Sequence, residues 1–112
     1  MCVVHILGPE IDTMMVYNER KELVLIAGNM GWKLVPEKLS LQLSIDGSTA
    51  IPQEPRTNAS GHLVEILLGD GETLHRLRNA DMLEWIMPEG HFRGPVSGFG
   101  VALDALTKCQ RG

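Results

Sequence analysis

The sequence predicts an α+β domain, a predominantly antiparallel β-sheet arranged as a sandwich or half-barrel, with two short helices, the last at the C-terminus. Three stretches carry that expectation. Residues 39–46, LSLQLSID, alternate apolar and polar with strict period two, the pattern of a strand with one wet face. Residues 11–17 (IDTMMVY) and 22–28 (ELVLIAG) are apolar runs with β-branched residues, joined by the polar connection Asn18-Glu19-Arg20-Lys21, so they read as a hairpin. In residues 97–109, SGFGVALDALTKC, apolar residues recur at helical spacing.

The elements follow in order. Residues 2–7 (CVVHIL) form a short apolar strand closed by Gly8-Pro9. The 11–28 hairpin comes next, then a connection containing Met30-Gly31-Trp32-Lys33 that has neither a strand nor a helix period. In the 39–46 strand, Leu39, Leu41, Leu43 and Ile45 should be buried, with Ser40, Gln42, Ser44 and Asp46 in solvent. Asp46-Gly47 then signals a tight turn. Pro52 and Pro55 each lack a backbone donor, so IPQEPRTNASG is expected as an edge strand or a loop. HLVEILL (62–68) returns to strand, and GETLHRLRNAD should form a short helix with Leu74 and Leu77 on its buried side. DMLEWIMP (81–88) places Leu83, Trp85 and Met87 on one face. GHFRGPVSG (90–98) is a weaker last strand, interrupted at Gly94-Pro95. Ser97 suits the N-cap of the final helix, whose stripe runs Phe99, Ala102, Leu103, Leu106 and Cys109, so Cys109 is expected to face the protein body.

Composition fits a single folded domain spanning residues 1–112: 44% of residues are hydrophobic and 21% charged, and the chain can bury one core. The net charge of −4, from 10 basic and 14 acidic residues, argues against a broad nucleic-acid surface. No apolar run approaches the roughly 18 residues of a membrane span. The N-terminal MCVVHILGPE has no basic region and only a short apolar stretch. Two expectations follow: a cytoplasmic protein, or a mature exported, periplasmic domain whose leader was replaced by Met1.

Few residues point to chemistry. The four histidines, His5, His62, His75 and His91, lack ligand spacing, and His5 on its apolar strand reads as a core histidine; no metal or cofactor is implied. A Ser97, His91 and Asp104 set can be assembled on paper, but no nucleophile elbow accompanies it, so the chain is not expected to be an enzyme. "GDGE" at 69–72 supplies only two carboxylates, too few for calcium. Cys2 and Cys109 stand at opposite ends of the chain. They are either two free thiols acting as small hydrophobes or a disulfide tying the ends, and in both cases they should be close in the fold. Trp85 reads as core. Trp32 reads either as a plug over the end of the sheet or as an exposed anchor. In the second case a protein-binding surface would centre on the Asn29–Lys33 connection, with Met30, Trp32 and Lys33, and on the Asn18–Glu22 hairpin tip.

Four stretches together resemble a known group: Gly31-Trp32-Lys33-Leu34, the strand ending in Ile45-Asp46-Gly47, the "LHRLRNADML" segment, and the run from Gly98 to Cys109 with its "AL-x-AL" core. They are similar to small periplasmic bacterial domains of the invasion-associated locus B type. In that pattern a cysteine near the mature start accompanies one after the last helix, and Cys2 and Cys109 match those positions. The resemblance implies no catalytic residue. It favours a non-enzymatic binding or accessory protein of the bacterial envelope; the alternative is a cytoplasmic inhibitor or immunity-type protein that occupies a partner's surface.

Overall fold

In the computed structural model, residues 2–7, 10–58, 60–68, 72–95 and 99–111 are described. They form two antiparallel sheets packed face to face. The first has strand order β1-β2-β3-β7-β6: β1 Val3–Leu7, β2 Asp12–Tyr17, β3 Leu23–Gly28, β7 Leu63–Leu68 and β6 Arg56–Thr57. The second has order β5-β4-β8-β9: β5 Ile51–Gln53, β4 Leu41–Ile45, β8 Met82–Met87 and β9 Gly90–Pro95. A 3-10 turn spans Pro36–Lys38, α1 spans Glu72–Leu77 and α2 spans Phe99–Arg111.

The sandwich is continuous because one segment serves both sheets. After pairing with β4 as β5, the chain passes Glu54-Pro55 and pairs with β7 as β6. Pro52 lies on the outermost strand of its sheet, where a missing backbone donor costs nothing in the ladder. Both of the expected alternatives for this stretch, edge strand and loop, are thus present.

Register fixes what the core contains. In the first sheet the inward rows are Val4–Met15–Leu25–Ile66 and Ile6–Thr13–Ala27–Val64. The second contributes Leu41, Leu43, Ile45, Leu83, Trp85 and Met87, all buried. Ser44 is a correction to the alternation: it is buried beside this core, and its hydroxyl donates to the Ser48 carbonyl across the turn at 2.7 Å, so the polar atom stays satisfied. β4 also begins at Leu41, leaving Leu39 half-buried and Ser40 exposed ahead of the strand. The turn signal holds: Asp46 and Gly47 both have positive φ, 51° and 76°.

α2 closes one end of the sandwich with Phe99, Leu103 and Leu106, all buried. Its last turns are tied down by the Tyr17–Thr107 hydroxyl pair at 3.0 Å and by the Cys2–Cys109 disulfide, whose Cα atoms are 6.1 Å apart. Leu77 of α1 is buried and Leu74 half-buried, as the helical spacing expects. The Ser97 cap lies outside the described residues. Three expectations are corrected. Cys109 is exposed although bonded to the half-buried Cys2. His5 is exposed on the outer face of β1, since Val4 and Ile6 take the inward parity. β9 runs unbroken through Gly94, which is buried against Ile11.

Candidate interaction surface

The opposite end of the sandwich is where the sequence left Trp32 undecided. Trp32 is only 5% exposed and meets Phe92 edge to face, with ring centroids 5.1 Å apart. Its position is set by backbone. Asn29 accepts from Trp32 N–H at 3.0 Å, and its side-chain oxygen accepts from Gly31 N–H at 2.7 Å. His62 Nδ1 lies 2.9 Å from the Trp32 carbonyl, and Leu34 N–H donates to the Gly61 carbonyl at 3.0 Å. Gly61, at φ 73°, could not carry a side chain, because a Cβ there would sit 2.7 Å from Leu34 backbone atoms. Trp32 is therefore the plug, and as an exposed anchor it is corrected: the indole packs in the core. Met30, 82% exposed, and Lys33, also exposed, flank it at the surface. The Asn18–Glu22 tip is a rigid turn, with Asn18 Oδ1 accepting from the Arg20 and Glu22 amides at 2.9 Å each.

What distinguishes the surface is the contrast between the two outer faces. That of the second sheet is mixed: Gln42, Glu84, His91 and Arg93 lie across β4, β8 and β9 beside Ile86 and the 41% exposed Met82, and His91 Nδ1 sits 3.4 Å from Glu84. That of the first sheet is more apolar at its centre, with His5, Asp12, Glu65 and Arg56 on the same face. Val3, Val16, Val24 and Leu67 form one outward row, Met14 and Ile26 lie centrally in the next, and Leu63 stands beside Gly28 in the third. Leu67 is 45% exposed, while Val24 on the central strand is 6% exposed at the floor of the patch. Gly28 makes room for this surface: a Cβ there would come within 2.6 Å of the Leu63 side chain. Two clefts of about 580 and 270 Å³ open onto the face and share Ile26; one reaches the 18–22 tip and the other reaches Met30.

These residues were not among the expected site residues, yet a signal existed. The runs MMV, LVLIA and LVEILL are apolar at both strand parities, unlike 39–46, and that marks strands with two dry faces. The surface can bury a partner's apolar groups, and His5, Asp12 and His62 line the cleft that reaches Met30. His91 pairs with Glu84, and Asp104 pairs with Arg78 at 3.2 Å, so the paper triad is not assembled from its described members. Among the described residues no cluster of three or more His, Cys, Asp or Glu is placed to hold a metal, and no helix is long and apolar enough to cross a membrane.

No protein-family model matches the chain, and no curated protein sequence matches it significantly. Among solved structures, the fold is similar to that of invasion associated protein B from Bartonella henselae, with a TM-score of 0.67 and 18% identity. The match covers 98% of this chain and 85% of that one. At that identity the likeness is one of fold, and at that level the resemblance expected from the sequence holds.

Proposed function

We propose that this chain is a non-enzymatic binding or accessory protein of the bacterial envelope that meets a protein partner through the outer face of its five-stranded sheet. The observation that carries the reading is the outer face of β2, β3 and β7, where Met14, Val16, Ile26 and Leu67 adjoin between Asp12 and Glu65, an apolar grouping of the kind that marks interaction sites. The compartment is supported by the Cys2–Cys109 bridge. Cys109 is exposed, so the bond is open to reducing thiols and suits an oxidising environment such as the periplasm. The fold shared with a bacterial invasion-associated protein supports the same setting. Met30, with Lys33 nearby, lies at the margin of the patch and would extend the contact.

Two measurements test this. Acid-quenched cells expressing the gene with its natural upstream sequence are alkylated and fractionated; an oxidised chain in the periplasmic fraction is expected. A reduced chain in the cytoplasm would reject the envelope reading in favour of the inhibitor-type alternative. Photo-cross-linking residues placed at Ile26 and, as a control, at Ile86 on the four-stranded sheet should capture a protein only from position 26. No capture from either position would reject the surface.

A further inference from the structure

We propose that the Cys2–Cys109 bridge is a redox latch on β1: reduction by a dithiol releases the first strand and leaves the rest of the sandwich folded. The two ends of the bond are anchored unequally. On one side, α2 is held by Phe99, Leu103 and Leu106, each at most 2% exposed, and Thr107 meets Tyr17 of β2 at 3.0 Å. On the other side, β1 is an edge strand whose single ladder runs to β2. Val4 and Ile6 take the inward parity but are only half-buried, while Val3 and His5 are exposed, so no side chain of Val3–Ile6 is buried. β2, β3, β4, β7 and β8 each place buried side chains in the core. Besides the ladder, β1 accepts one bond, from Thr13 Oγ1 to the Ile6 carbonyl at 3.3 Å. A strand with so few buried apolar contacts lies at the low end of local stability. Cys2 directly precedes β1, so the bond fastens that strand to a helix which the core holds in place.

Access sets the order of the chemistry. Cys109 is exposed and Cys2 half-buried, so a thiolate of the dithiol attacks Cys109 Sγ. A mixed disulfide forms as the Cys2–Cys109 bond breaks, and Cys2 leaves as a thiolate that takes up a proton. The second thiol of the reductant then attacks the reductant's own sulfur in the mixed disulfide, closing the reductant's disulfide and freeing the Cys109 thiol. Two electrons have passed from the dithiol to the bridge. In the oxidised chain β1 is tethered at both ends, by the bond and by the residues leading into β2, so opening it gains little chain entropy. Reduction leaves only the second tether, and opening then gains more. Release strips β2 of a ladder partner. It frees backbone groups along Asp12–Tyr17 and uncovers the rows in which Val4 and Ile6 pair with Met15 and Thr13. The latch thus converts the oxidation state of one exposed bond into the presence or absence of an open sheet edge.

The test is residue-resolved amide hydrogen exchange of the full chain in three states: oxidised, reduced with dithiothreitol, and as Cys2→Ser/Cys109→Ser without reductant. On reduction, exchange at Val3–Leu7 should accelerate at least about tenfold more than at Leu103 and Leu106 of α2, which should stay as protected as Leu25 of β3. The serine variant should match the reduced chain, which assigns the change to the bond and not to the reductant. If that variant does not fold, the reduced wild type decides alone. Loss of protection in β1 and α2 together, loss in α2 ahead of β1, or full retention in β1 overturns the proposal. The rate of reduction without denaturant is the second measurement. It should rise in proportion to dithiothreitol concentration, as attack on the folded chain requires. A rate that levels off at the rate of global unfolding overturns the latch, because the bond would then be reached only in the unfolded chain.

Discussion

Replacing both cysteines by serine isolates what the disulfide contributes. The bridge joins residues 107 apart in sequence, nearly the whole chain. In the chain-entropy model, releasing a loop of that length returns about 16 cal/mol/K to the unfolded ensemble, or about 4.8 kcal/mol at room temperature. The folded state loses little beside this, because Cys109 is exposed and Cys2 only half-buried. Unfolding entropy near 2.1 cal/mol/K per residue converts the loss into a melting temperature lowered by about 20 °C. Native structure should persist, since Phe99, Leu103 and Leu106 hold α2 in the core without the bond. Urea titration of the wild type with and without reductant, beside the Cys2→Ser/Cys109→Ser double variant, measures this. The dependence on denaturant should also steepen on reduction, because an uncrosslinked unfolded chain exposes more surface. A stability change below about 1 kcal/mol would refute the reasoning, as would a reduced chain that loses its near-UV signal at room temperature.

Trp32→Ala should cost about 3–5 kcal/mol and Met30→Ala close to nothing, read by the same titration; an equal effect of the two would remove the plug at that end of the sandwich. Trp32→Phe should recover most of the loss, because Trp32 Nε1 has no hydrogen-bond partner among the described residues. In β4, Leu43→Ala should cost about 2–5 kcal/mol and Gln42→Ala should be near neutral, while Ser44→Ala should cost about 1 kcal/mol through its bond to Ser48. Gly61→Ala should cost at least about 2 kcal/mol, combining a left-handed φ with backbone contact at Leu34, and thermal melting would show it directly.

The fold was legible wherever a single local rule decided the outcome. β4 announces itself by alternation, the Asp46-Gly47 turn by composition, and α2 by its apolar stripe. The closeness of Cys2 to Cys109 followed from placing one on the first strand and the other at the end of that stripe. What local rules could not supply was partition between two sheets. Nothing in IPQEPRT says that β5 belongs to one sheet and β6 to the other. That division emerges only when β4 and β7 are both present to be paired. Trp32 posed the same difficulty, since its burial depends on Phe92 and on Gly61, both remote in sequence.

The proposed interaction surface was hidden for a different reason. An apolar run such as LVLIA satisfies the requirement for a core strand on one parity alone, so the other parity attracts no notice until the sheet order is known. In the centre of a three-layer protein a helix would cover that second face. Here both helices are placed elsewhere: α2 is tied to β1 and β2 by Cys2–Cys109 and Tyr17–Thr107, and Arg78, which follows α1, is held to α2 through Asp104. The first sheet therefore turns Met14, Val16, Ile26 and Leu67 outward beside Asp12 and Glu65, whereas the second, with the same strand geometry, turns Gln42, Glu84 and Arg93 outward beside Met82 and Ile86. Folding alone does not require that asymmetry, because polar residues on the outer face of the first sheet would leave its inner rows intact. The larger apolar share of the first sheet's outer face is the feature on which the proposed interaction surface rests.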